Sequence, residues 1–258
     1  VLMYPLGMGM AGAALATACS PIVGILICLT HLLSGRSRLH FSWIRPSVRC
    51  LVRGCQVGVS AFVGEISSGV TTAVFNFLIL GLAGNTGVAA YGVVANLSLV
   101  AVAMFNGIAM GTQPLISDFY GRGEHSAIRR VIRMGMELSF VFALLIAVVI
   151  WSYTAPIIAV FNKSGDTQLT AYATEGLRLY MLGFFFAGWN ILGSSIFSAM
   201  EQARAAFLTS VLRGFVMIVF CTLALAALFG MTGVWLAFPA AEALTLIVTL
   251  WYMKRVFA

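Results

Sequence analysis

Residues 81–87 read GLAGNTG and lie in the middle of a run, Ile66 to Ser117, that carries no formal charge. Drawn out as one straight helix at about 1.5 Å per residue, that run would extend roughly 78 Å, whereas the hydrocarbon core of a bilayer is about 30 Å thick. A segment this apolar has to turn back, and a cluster of Gly and Asn is where a chain turns at low steric cost. The run therefore reads as two membrane spans, near 50–80 and 88–115.

The rest of the chain supports that reading. Its 258 residues are 61% hydrophobic and 9% charged, with a mean hydropathy of +1.01, whereas soluble domains carry about 25% charge. Charge is also absent from Val1 to Gly35, Leu179 to Met200 and Gly214 to Ala241. Breaks at Ser34 to Arg49, Gly81 to Gly87, Ser117 to Arg130, Asn162 to Gln168, Glu201 to Arg204 and Gly230 to Gly233 leave seven spans. They lie near 7–33, 50–80, 88–115, 132–160, 170–198, 203–229 and 232–253. The expected fold class is an all-α polytopic membrane protein with seven transmembrane helices.

The net charge of +7 raises nucleic acid as a partner, and the order of the charges removes it. If the first span runs inward, one side collects Arg36, Arg38, Arg45, Arg49, Arg53, Arg122, Arg129, Arg130, Arg133, Arg204, Lys254 and Arg255, with Arg213 further in. The other side holds Lys163 and Arg178. This is the positive-inside bias of a multi-pass protein in a plasma or inner membrane, alternating correctly through every loop. No basic residue precedes Arg36, so a secretory leader is not read here. The five cysteines form no CxxC pair and read as small apolar side chains. His31, His40 and His125 have no metal-ligand spacing, so no metal and no cofactor is expected.

Gly9 to Ala16 reads GMAGAALA and Gly230 to Ala237 reads GMTGVWLA, with Gly, Met, Gly, Leu and Ala recurring in the same places. Both copies open a span that runs inward, and six spans separate their starts. Parallel six-helix repeats of this kind are a transporter architecture. The expectation is that residues 1–48 are the last helix of an N-lobe and a cytoplasmic linker, and that 49–258 are a complete six-helix C-lobe. With an N-terminus placed outside and Val1 in place of Met, the chain reads as the C-terminal portion of a longer protein whose N-terminal lobe is missing.

Several segments have a familiar cast. FNGIAMGTQPLISDFYGRGE at Phe105 to Glu124 with the IRRVIR that follows, GEISSGV at Gly64 to Val70, and FFAGWNILGSSIF at Phe185 to Phe197 are three of them. SVLRGF at Ser210 to Phe215 and GMTGVWLAFPAAEALT at Gly230 to Thr245 are two more. Together they resemble the multidrug and toxic compound extrusion (MATE) family, in its MepA-like branch, over helices six to twelve of twelve. The resemblance implies a two-lobed antiporter that exchanges H⁺ or Na⁺ for organic, often cationic, compounds. It also implies that a piece lacking one lobe is inactive alone.

Coupling needs an intramembrane group whose protonation or cation binding differs between states. Glu65 is the only formal charge between Arg53 and Asp118, about 24 Å along its helix from Arg49. The resemblance implies a cation or proton site there; the alternative is a carboxylate paired to a neighbouring helix. Asn190 occupies a position where several family members carry an acid, which leaves the second carboxylate of a Na⁺ site absent and favours H⁺. Arg213 and Glu242 each lie about ten residues from a membrane face, near the midplane, and are expected to form a structural ion pair or to line the transport path. Asn76, Asn96, Asn106 and Gln113 are read as interior amides that bind helix to helix or contact substrate. Two other functions fit the residues less well. A lipid-linked oligosaccharide flippase of the same broad fold would need several midplane cations where only Arg213 stands. An intramembrane enzyme would need a cluster that the dispersed Glu65, Glu137 and Glu242 do not supply.

Overall fold

A computed structural model describes residues 9–33, 47–162 and 165–257. The linker cations Arg36, Arg38 and Arg45, together with His40 and Lys163, lie outside the described residues, as does the side chain of His31. The chain forms two compact units, Val1–Ser47 and Val48–Ala258.

Among the described residues all regular structure is helical. In the first unit, α1 (Gly9–Leu33) starts on the repeat signature. In the second unit α2 (Val48–Gly121) and α3 (His125–Phe161) are followed by α4 (Thr167–Tyr180), which passes through a 3₁₀ turn at Met181–Gly183 into α5 (Phe184–Ala199). Then come α6 (Ala203–Val211), a π turn at Leu212–Val216 and α7 (Met217–Phe257). Among the described residues five segments are long and apolar enough to cross a membrane.

The turn expected within GLAGNTG is present inside α2. Helical geometry breaks at Gly84, where φ is 60° and ψ is −158°, a conformation that L side chains rarely adopt. The two arms fold onto each other: the rings of Phe75 and Tyr91 stack with centroids 5.3 Å apart, where sixteen residues of straight helix would hold them about 24 Å apart. α7 reverses in the same way at Gly230, with φ 58° and ψ −131°. Gly9, the first residue of the other signature copy, also has a positive φ of 52°. In both copies the leading glycine is therefore a conformational requirement. α3 is interrupted at Tyr153, three residues before Pro156, whose ring cannot donate a helical hydrogen bond.

In a bilayer, apolar side chains gain little from leaving lipid, so close backbone approach and ring packing hold the helices together. A Cβ on Gly176 would lie 2.9 Å from the Trp235 ring, one on Gly188 would lie 2.6 Å from Phe105, and one on Gly183 would overlap Phe238. These glycines let α4 and α5 dock against α7 and α2. Tyr180 stacks on Phe238 at 4.2 Å, and Trp235, Phe75, Phe105, Phe184 and Phe197 are fully buried. The Thr167 end is fixed by the Asp166 carboxylate, which accepts from the backbone amides of Gln168 and Leu169 at 2.8 and 3.3 Å.

Candidate functional site

Glu242 lies on α7 three residues after Pro239 and is 3% exposed. One carboxylate oxygen accepts from Arg213 Nε at 2.6 Å and the other from Asn190 Nδ2 at 2.7 Å. Asn190 Nδ2 also donates to the Glu242 carbonyl at 2.8 Å, and Asn190 Oδ1 accepts from Thr249 Oγ1 at 2.8 Å. Every polar atom of the amide is thus engaged, and Asn190 and Thr249 are buried. A buried carboxylate is tolerable in such surroundings because its desolvation is offset by a charge-assisted pair and a second donor.

Three local features place these groups. The π turn widens the backbone at Leu212–Val216, an irregularity common at functional positions, and carries Arg213. Gly214 has no side chain where Ser67 of α2 sits; a Cβ there would overlap the serine, so α2 closes on the π turn. Glu242, Thr245 and Thr249 follow an i, i+3, i+7 pattern that puts all three on one face of α7, and Thr249 fills the space in front of Gly193 of α5. The Arg213 side chain keeps 27% of its surface accessible against 4% for Glu242, so the network is open from the arginine side.

The expected meeting of Arg213 and Glu242 is present, and Asn190, read separately as a coupling position, belongs to the same cluster. Glu65 does not. It is exposed, makes no ion pair among the described residues, and lies about 200° around α2 from Ser67, facing away from Gly214. Thr72 and the half-buried Asn76 fall on Glu65's face, at i+7 and i+11. On the second arm of α2, Asn96, Asn106 and Gln113 are exposed, and Asn96 Nδ2 donates to the Gly92 carbonyl of its own helix at 2.8 Å. These amides do not join helix to helix among the described residues. Sequence reasoning missed Thr249, which its spacing from Glu242 could have marked, and the contact of Thr232 with Glu175, where Oγ1 donates to Oε1 at 2.5 Å.

A bundle of long apolar helices, with one buried charge network and an uncovered polar face on a helix otherwise fit for lipid, defines a polytopic membrane protein of the transporter class. The MatE family model matches residues 61–223, and the chain belongs to the MATE family, whose members are transporters and not enzymes. It is similar to the multidrug export protein MepA of Staphylococcus saprophyticus, 28% identical over 91% of this chain and 51% of the relative. MepA of Staphylococcus aureus is 25% identical over 95% of this chain and 53% of the relative. Among solved structures, an outward-facing multidrug resistance MATE transporter of the MOP superfamily superposes with a TM-score of 0.90 at 20% identity. That match covers 99% of this chain and 58% of the solved one, and a MATE crystal structure in complex with MaL6 gives the same TM-score and coverage at 19% identity. The chain spans about half the length of the curated relatives it matches.

Proposed function

We propose that this chain supplies the last helix of the N-lobe, within residues 1–48, and the six-helix C-lobe, residues 49–258, of a multidrug exporter driven by cation antiport. The reversals at Gly84 and Gly230 divide α2 and the α6–α7 segment into two spans each, which supports seven spans in all. The carrying observation is that exposed Glu65 and Thr72 share one face of α2 with the half-buried Asn76. A carboxylate and an amide on an apolar helix do not face hydrocarbon; they line a water-filled cavity or meet a partner surface. In this reading Glu65 takes up H⁺ or Na⁺ in exchange for organic cations, in a cavity completed by the N-terminal lobe, in the plasma or inner membrane. The neutral Asn190 favours H⁺. Arg213, the one midplane cation among the described residues, is matched by Glu242, which speaks against a pyrophosphate-binding flippase cavity.

The test is the complete reading frame containing this chain, expressed in membrane vesicles under separately imposed pH and Na⁺ gradients. A cationic dye is expected to be exported under the pH gradient. Glu65→Gln is expected to abolish export without changing the amount of protein, and the 258-residue chain alone is expected to export nothing. Absence of export under both gradients, or full export by the Gln variant, overturns the proposal.

A further inference from the structure

A groove of about 810 Å³ runs between α3, α5 and the C-terminal arm of α7. Its two ends differ in chemistry. Arg129, Arg133 and Lys254 stand at one end, and none of them pairs with a carboxylate among the described residues. Glu137, one turn further along α3 than Arg133, is the only acid in the lining, which leaves this end cationic. Beyond it the walls are Met136, Phe140, Val141, Trp189 and Leu250. The polar atom of Trp189 is turned away from service there, because Nε1 donates to the Met136 carbonyl at 3.1 Å. The deep part of the groove thus offers a ligand mainly carbon.

The dimensions match one class of molecule. Arg129 to Val141 on α3 is about 18 Å, close to the half-thickness of a bilayer's hydrocarbon core, about 15 Å. On the orientation given by the positive-inside bias, the cationic end lies at the cytoplasmic surface, where anionic lipid attracts Lys and Arg. We propose that this groove is a binding site for one anionic phospholipid of the cytoplasmic leaflet, its phosphate held by Arg129, Arg133 and Lys254 and an acyl chain lying along Phe140, Val141 and Leu250. A cationic amphiphile meets repulsion at that end, and a zwitterionic lipid gains far less from it. The site rests on the chain's place in a bilayer and not on its transport activity.

The experiment places the purified 258-residue chain in phosphatidylcholine nanodiscs containing a trace of phosphatidylglycerol with a photoactivatable acyl chain. Crosslinked residues are then mapped by mass spectrometry. Labelling is expected at Phe140, Val141 and Leu250, and much less from a phosphatidylcholine probe with the same chain. Juxtamembrane cations each contribute about five-fold to binding, so Arg129→Gln, Arg133→Gln and Lys254→Gln should each lower labelling about five-fold and together about a hundred-fold. Arg129→Lys with Arg133→Lys retains it, as does Arg204→Gln, which removes an exposed cation outside the groove. Excess inorganic phosphate leaves labelling unchanged. Equal labelling by the two probes, persistence in the triple variant, a comparable loss in Arg204→Gln, or displacement by free phosphate overturns the proposal. So does an unlabelled groove in a chain that runs as a dimer.

Discussion

Glu242 gives both carboxylate oxygens to fixed partners, and its neighbours are set by that arrangement. Arg213→Met would leave the carboxylate buried with one donor, and breaking a buried pair in this way costs on the order of 3 kcal/mol, at the low end of the usual range because Arg213 keeps some solvent contact. Reversible unfolding in mixed detergent–SDS micelles should show that loss. The double variant Arg213→Met, Glu242→Leu should recover most of it, since no charge then remains to satisfy. Asn190→Ala should cost about 2 kcal/mol in the same assay by orphaning one Glu242 oxygen, while the Thr249 hydroxyl keeps the Thr245 carbonyl as its acceptor. Arg213 and Glu242 were legible in the sequence because each is a lone charge deep in an apolar run, and such charges seek each other. Asn190 was legible as a membrane amide at a position that the family resemblance marks for coupling; that it serves Glu242 depends on the register of α5 against α7, which follows from contacts such as Gly193 on Thr249.

Two kinds of glycine set the elements, and they fail differently. Gly84 and Gly230 have positive φ, and a Cβ on either meets no atom within 4 Å, so substitution strains the backbone without a clash. Gly84→Ala should therefore destabilise the C-terminal unit by about 1–3 kcal/mol in the unfolding assay, with no benefit from trimming any neighbouring side chain. Gly214 is the opposite case, with negative φ and a neighbour in the way. Gly214→Ala should also cost about 1–3 kcal/mol through overpacking against Ser67, and adding Ser67→Gly should restore much of that loss. The reversal at GLAGNTG was readable because turn residues interrupt an apolar run too long for one span. The π turn at Leu212–Val216 was not, because one extra residue within a helix leaves the composition unchanged.

At the scale of the whole molecule, what the chain presents to its surroundings is a pattern of sidedness. The groove cations Arg129, Arg133 and Lys254 and the exposed pair of Arg53 with Glu201 belong to segments that the charge bias assigns to the cytoplasmic side, whereas the Asp166 cap and the start of α4 belong to the other. A helix bundle cannot satisfy this assignment in part. Each loop's side fixes the next, so one loop on the wrong side would require an even number of crossings between neighbours and pull a charged segment into lipid. Single cysteines introduced into a chain freed of its own five therefore test the topology as a unit. Gln168→Cys should react with a membrane-impermeant thiol reagent in intact cells, and Ser126→Cys and Glu201→Cys should react only after the membrane is opened. A uniform reversal of the pattern would move the groove's cationic end to the outer leaflet. A mixed pattern would mean that α3 or the α4–α5 segment does not cross the bilayer and lies along the membrane surface, which a segment of this length and hydropathy would not sustain.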